Sequence, residues 1–157
     1  MIFLNRFAGF EHMKKLFTKN GLQVQMVSYY NKQRHMLVQT SEGNFYVLFK
    51  KEPIHSFNHL KETQRFLHEN PDCAGWGESI NVDCIDYANS RNVRVLFYVY
   101  EDGKVYYVPL MKVRTQGLIR IQNRQNEYKE LQEGSVMLQS VNEREYIFPM
   151  KWMERYE

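Results

Sequence analysis

The order of apolar and polar residues along this chain predicts short helices alternating with short strands. Phenylalanine and methionine recur at helical spacing over residues 6–20, and Asn20-Gly21 then supplies a helix stop. Turn-forming residues divide the next segment into three apolar runs. The strands are expected at residues 24–30, 35–40 and 45–50. Because each strand is short and close to the next, an antiparallel meander is predicted.

A second helix is predicted at residues 54–69, where Pro53 stands at the first helical position that proline tolerates. Phe57, Leu60 and Leu67 recur with the helical period, so they are expected to pack on the sheet. Truncation of Leu60 to alanine should then cost about 2–4 kcal/mol, as for other buried leucines.

A strongly apolar β-hairpin is predicted at residues 93–110. Asp102-Gly103 stands at its centre, which is a strong signal for a two-residue type I′ turn. The last third of the chain is expected to form short strands, with a polar loop or short helix at residues 123–134. These strands are predicted at residues 118–122, 136–139 and 146–148. The fold class is therefore α+β, one domain over residues 1–157, with helices on one face of a mostly antiparallel sheet.

Composition and motifs indicate where the protein is expected to be located and which kinds of site it lacks, but they do not indicate its function. The 157 residues carry a formal net charge of +3 and two cysteines with no disulfide or metal pattern. No apolar run reaches the roughly 18 residues of a membrane span. No signal peptide is recognised either, so the cytoplasm is the expected location, with no membrane partner. The Gly-rich phosphate loops and the nucleophile elbow are absent from the sequence.

Three acids follow Gly77 and are expected to lie on one short helix. Glu78, Asp83 and Asp86 are spaced to lie near one helix face, and oxygen ligands of this kind bind Mg²⁺ or Mn²⁺. A metal held there would activate water for phosphodiester hydrolysis. The alternative is one acid that complements the helix dipole and two solvated aspartates.

Basic residues offer a second candidate site. Lys50 and Lys51 end an apolar strand, where a lysine can contact phosphate or simply mark the strand end. Arg114, Arg120 and Arg124 lie among amide side chains, which is either a nucleic-acid surface or an exposed, soluble segment. His55 and His59 have zinc-ligand spacing, but no paired cysteines accompany them, so surface histidines are the simpler interpretation.

A strand-ending lysine, a helix and a glycine-flanked glutamate before a hairpin resemble a known type of protein. The segments are FYVLFKK, GWGESIN and residues 93–110. They resemble the small nucleases of the Acidianus filamentous virus type, compact α+β proteins from an archaeal virus that act on linear double-stranded DNA. The resemblance implies a catalytic glutamate at Glu78 and a nearby lysine at Lys50, with Asp86 assisting.

Two functions from different classes follow. The first is a viral, metal-assisted DNA nuclease that works in the host cytoplasm, with double-stranded DNA as its partner. The second is a non-enzymatic module that binds nucleic acid or a host protein. In the second case, tyrosines of the hairpin would form the contact surface, since tyrosine is enriched at interfaces. These tyrosines are Tyr98, Tyr100, Tyr106 and Tyr107.

Overall fold

The computed structural model describes residues 3–130 and 136–157. Four α-helices are formed by these residues: α1 Arg6–Lys19, α2 Gln64–Glu69, α3 Val82–Ser90 and α4 Leu110–Gln116. The strands are β1 Val24–Tyr30, β2 His35–Thr40, β3 Gly43–Lys50, β4 Gly77–Asn81, β5 Val93–Tyr100, β6 Val105–Pro109, β7 Leu118–Glu130, β8 Val136–Pro149 and β9 Glu154–Arg155.

The larger sheet has the strand order β1-β2-β3-β5-β6-β9. Its first three strands form the predicted antiparallel meander, and β5 and β6 form the predicted hairpin. Only the β3–β5 pair is parallel, because the chain leaves β3, crosses through α2, β4 and α3, and returns beside it. The α+β class and the mostly antiparallel sheet are thus confirmed.

A smaller antiparallel sheet has the order β4-β8-β7. Its long strands β7 and β8 replace the three short strands expected from the sequence. The prediction of a loop or short helix at residues 123–134 is wrong for 123–130, which belong to β7, while 131–134 lie outside the described residues. Pairing with β8 supplies backbone hydrogen bonds that a polar segment cannot obtain alone.

Alternate residues of the larger sheet enter two separate cores, as the two-residue period of a strand requires. On β5, Phe97 and Val99 pack with α1, whereas Leu96 and Tyr98 face α3, α4 and the smaller sheet. The helices therefore lie on both faces of the larger sheet, and the expectation of one covered face is corrected. The reason is that every strand of its centre is apolar on both sides.

Helix α1 forms where its caps and its apolar period agree. Its N-cap side chain, Asn5, accepts a hydrogen bond from the Ala8 N–H at 2.8 Å, and Gly21 follows the helix with a φ of +83°. Phe10, Met13 and Phe17 are its buried face. No helix in the described part of the chain is long and apolar enough to cross a membrane.

The predicted helix at 54–69 is wrong over most of its length. Two short 3₁₀ turns, Phe57–His59 and Lys61–Thr63, precede α2, which has only six residues. Leu60 has an extended backbone between the two turns and is half-buried, while Phe57 is fully buried. The bridge between Ile54 and Gly77 ties the start of this segment to β4, which a continuous helix would not allow.

The turn between β5 and β6 has three residues instead of the expected two. The Gly103 N–H donates to the Tyr100 carbonyl at 2.9 Å, and the Tyr100 N–H donates to the Lys104 carbonyl at 2.9 Å. Gly103 has a φ of +87°, while Asp102 is not left-handed, which is the pattern of a type I turn closed by one left-handed residue. The predicted hairpin is confirmed, but its two-residue type I′ turn is wrong, because the connection has three residues.

Replacing Gly103 by valine should destabilise the protein by roughly 1–2 kcal/mol, because a β-branched residue is strained at positive φ. Apart from Gly103 and its chain neighbours, no heavy atom of the described residues lies within 4 Å of the position that a Cβ would take. The loss would therefore measure backbone strain. A urea melt of Gly103→Val beside Gly103→Asn tests this, since asparagine tolerates the left-handed region. Equal losses for the two variants would contradict it.

Candidate anion-binding cleft

The parallel pairing of β3 and β5 brings three polar side chains together. Lys50 pairs in register with Tyr100 at the ends of the two strands. Glu78, on β4, lies against both: its Oε2 accepts the Tyr100 hydroxyl at 2.6 Å, and its Oε1 lies 3.5 Å from the Lys50 Nζ. The Ser79 N–H also donates to Oε1, at 2.9 Å. The sequence predicted the proximity of Lys50 and Glu78, and the structure brings them together.

Glu78 is in a different setting from the one expected. It lies on a strand rather than at the start of a helix, and it is only 1% exposed. Burial raises the pKa of its carboxyl, and the charge of Lys50 with the hydrogen bonds from Tyr100 and Ser79 acts in the opposite direction. Glu78 is therefore a buried partner of Lys50, whose own side chain remains 27% exposed.

The three acids do not converge on a metal. Asp83 and Asp86 are exposed on α3, whereas the carboxylate of Glu78 is turned inward to Tyr100 and Ser79. Among the residues that the structure describes, no three His, Cys, Asp or Glu side chains are grouped as metal ligands. A single Mg²⁺ or Mn²⁺ held by all three carboxylates does not fit this arrangement. The helix expected to carry them begins only at Val82.

A cleft of about 360 Å³ opens next to the Lys50–Glu78 pair. Cationic side chains reach it from α1, from the β1–β2 turn and from the end of β3. These are Arg6, Arg34, Lys50 and Lys51. Among the described residues of its lining, the one acid is Glu145, which is 3% exposed and forms an ion pair with Arg120. The cleft therefore carries a clear excess of positive charge in a concave site, which concentrates the electrostatic field.

A strained turn holds one wall of the cleft. Asn31, Lys32 and Gln33 are three consecutive left-handed residues, with φ of 56°, 56° and 64°. Each such residue costs roughly 1 kcal/mol when it is not glycine. The turn places Asn31 and Arg34 in the cleft lining. Strain of this kind is often retained where a turn carries a binding function.

His35 occupies the same cleft as a neutral side chain. Its Nδ1 lies 2.5 Å from the Tyr46 hydroxyl. Burial, together with the nearby charges of Lys50, Arg34 and Arg6, lowers the pKa of His35 to about 3. The cations that surround His35 are thus close enough to oppose any further positive charge.

The remaining predicted contact residues are dispersed. Arg114 is exposed on α4 and is not part of the cleft lining. Arg120 donates through its Nε to the Glu145 Oε1 at 2.9 Å, and its side chain is only 14% exposed, so its charge is already paired. The side chain of Arg124 lies outside the described residues.

The tyrosines of the β5–β6 hairpin do not form an exposed contact surface. Tyr98 is fully buried and Tyr100 is 5% exposed, and both point into the core between the two sheets. Tyr106 and Tyr107 are half-buried. The alternation of the strands, together with the second layer above them, removes the surface that the sequence suggested.

Three residues that line the cleft were not predicted from the sequence: Arg6, Arg34 and His35. Arg34 and His35 stand in the run NKQRH, where a basic cluster in a turn between two strands was the available signal. Arg6 carried no such signal, since it is an isolated arginine at the first position of a helix.

Comparisons with known proteins do not assign a function to this cleft. No protein-family model, curated protein or solved structure matches the chain.

Proposed function

We propose that this protein binds the phosphate backbone of DNA in the basic cleft. The observation that carries the proposal is the convergence of four cationic side chains on a cleft whose described lining holds one acid, Glu145, already paired with Arg120. Lys50 is itself paired with the buried Glu78, so Arg6, Arg34 and Lys51 supply the excess charge. Lysine and arginine contacts to phosphate oxygens release condensed counterions, and this release is the main source of backbone affinity.

The low pKa of His35 supports the same conclusion. Three of the cleft cations lower it, so their charges act on one common volume of the cleft. Because His35 stays neutral at physiological pH, it can donate or accept a hydrogen bond without adding charge. A phosphate placed there meets several cations and one neutral imidazole.

Removing two cleft charges should weaken DNA binding by tenfold or more. Arg34→Gln with Lys51→Gln is the chosen variant, because both side chains are exposed and their loss leaves the core intact. Fluorescence anisotropy with a labelled DNA oligonucleotide, measured over a series of salt concentrations, is the assay. The slope of log affinity against log salt should fall by about 2, close to one unit per lost phosphate contact.

The matched control is Lys15→Gln with Lys19→Gln, which removes the same charge from exposed positions on α1. Lys19 is thirteen residues from Arg6, or about 20 Å along the helix axis. The control should lower affinity far less. Equal losses for the two double variants would show that general charge attraction, and not the cleft, binds DNA.

Phosphodiester hydrolysis is the second candidate function. The Lys50–Glu78 pair favours it, because Lys50 lines the cleft while the buried carboxylate holds its ammonium group. A lysine fixed in this way would stabilise the negative charge that develops on phosphorus-bound oxygens. Glu78 would act by positioning Lys50, since its own oxygens are turned away from solvent.

If DNA is cleaved, Lys50→Gln and Glu78→Gln should each reduce the rate by roughly 100-fold, the usual loss when one electrostatic contact to the transition state is removed. Glutamine is preferred to alanine at Glu78, because its side-chain oxygen can still accept the hydrogen bond that the Tyr100 hydroxyl donates to the carboxylate. The assay uses linear and circular DNA with Mg²⁺, Mn²⁺ or EDTA, and a thermal melt confirms that each variant folds. Glu69→Gln, an exposed acid on α2, is the control.

The EDTA arm decides the role of a metal. Cleavage that persists in EDTA places the chemistry on protein side chains, whereas loss in EDTA with recovery in Mg²⁺ or Mn²⁺ requires a metal. If no cleavage occurs under any condition, the nuclease hypothesis is rejected. Binding to the phosphate backbone is then still tested separately by the anisotropy assay.

A further inference from the structure

A second cavity of about 380 Å³ adjoins the basic cleft, and Asn31 and Asn81 line both. The two cavities are therefore neighbours that share part of their walls, and together they are called the groove here. Their chemistry differs, since the described lining of the second cavity includes Tyr30, two acids, Asp83 and Glu143, and a single cation, Arg144. One end of the groove suits a phosphate, and the other offers an aromatic ring and hydrogen-bonding groups.

Tyr30 is held in a fixed plane at the edge of the second cavity. Its ring stacks on Tyr87 with the centroids 3.8 Å apart and an interplanar angle of 27°. The guanidinium of Arg91 lies over the ring of Tyr87, 5.0 Å from its centroid. Tyr87 thus covers one face of Tyr30, and Tyr30 itself lines the second cavity. A preorganised tyrosine loses little entropy when a flat group packs on it.

We propose that this groove binds one nucleotide unit of single-stranded nucleic acid, with the phosphate in the basic cleft and the base in the second cavity. The inference rests on the proposed phosphate binding and adds a base subsite to it. Every base has a π-face that can pack on a tyrosine, and such stacking contributes to most single-strand binding sites. A base paired in a duplex presents no free face, so the groove selects single strands.

The polar groups of the second cavity indicate which bases fit. Asp83 is exposed and accepts hydrogen bonds only, so it suits the exocyclic amino group of cytosine, adenine or guanine. The side-chain amides of Asn31 and Asn81 both donate and accept. Thymine has no exocyclic amino group, and it is therefore the least favoured base.

The test compares an oligodeoxycytidylate with an abasic strand of the same length, which keeps the phosphates and lacks the bases. At the same salt concentration, the wild type should bind the cytosine strand about tenfold more tightly than the abasic strand. It should also bind the cytosine single strand more tightly than the matching duplex. Tyr30→Leu should bring the ratio of the two single-strand affinities close to one. Tyr29→Leu, at the exposed neighbouring position on β1, should leave the ratio unchanged.

Free deoxycytidine monophosphate, added as a competitor, separates two sources of the ligand. Competition by the mononucleotide at a concentration similar to that of the strand assigns the groove to free nucleotides, which contradicts the single-strand proposal. Equal affinity for abasic and cytosine strands overturns the base subsite and leaves phosphate binding intact. Absence of binding to every strand overturns both.

Discussion

Phe57→Ala is expected to lower the free energy of unfolding by about 3–5 kcal/mol, the usual range for a phenylalanine removed from a core. The side chain is fully buried, although it lies in a 3₁₀ turn and not in a helix. Gly77 lies directly against it: a Cβ at Gly77 would come within 2.3 Å of the Phe57 ring. Truncation therefore leaves a cavity beside β4, where the chain has little freedom to collapse. Urea denaturation monitored by circular dichroism measures the loss.

Leu60→Ala is the matched comparison, because the helical period placed both residues on one buried face. The structure leaves Leu60 half-exposed, so its truncation should cost about 1 kcal/mol. A larger loss for Leu60→Ala than for Phe57→Ala would contradict the burial that the structure gives these two side chains. Circular dichroism of the two variants before denaturation checks that neither has changed the fold.

The second large effect is a loss of stability in mild acid through His35, about 2 kcal/mol between pH 7 and pH 5. Unfolded histidine takes up a proton near pH 6.5, whereas the folded pKa of His35 is about 3, so the unfolded state binds more protons in this range. Stability therefore rises with pH from about 3 to 6.5 and is lost as pH falls through that window. Each unit of pH between the two values contributes about 1.4 kcal/mol.

His35→Gln should remove this part of the pH dependence, and His68→Gln, at an exposed position of α2, should keep it. The raised pKa of Glu78 acts with the opposite sign, because its folded form holds a proton above pH 4.5 and stability falls as that proton is lost. Glu78 is present in both the wild type and His35→Gln. Its contribution therefore cancels when the slopes of unfolding free energy against pH are subtracted. Parallel stability curves for wild type and His35→Gln would show that His35 is not kept neutral by the fold.

Features with a local physical cause were predictable from the residues alone. Helix α1 has its N-cap, its apolar period and its glycine stop within a single stretch of chain. The meander and the β5–β6 hairpin follow from alternating residues separated by turn formers. In these segments the neighbours in sequence are also the neighbours in space, so propensity and pattern suffice.

The segment at 54–69 shows where local evidence fails. Its apolar residues fit a helical period, yet the backbone bridge of Ile54 to Gly77 and the packing of Phe57 on that glycine favour 3₁₀ turns. Local evidence also fails at Glu78, because the glycine-flanked acidic segment predicted that this residue begins a helix. Pairing with β8 draws it into a strand, and Tyr100 and Lys50 then stabilise the buried carboxylate. Tertiary contacts of this kind commonly override weak local preferences.

The α+β class, the first helix, the meander and the hairpin could be predicted from local sequence patterns, and so could the proximity of Lys50 and Glu78. The burial of Glu78, the separation of the three acids and the meeting of Arg6, Arg34 and Lys50 in one cleft depend on contacts between distant segments. The cause is the parallel β3–β5 pairing, which joins segments more than forty residues apart in the chain. No local pattern encodes such a pairing, because its stability comes from the layers packed on both faces of the sheet.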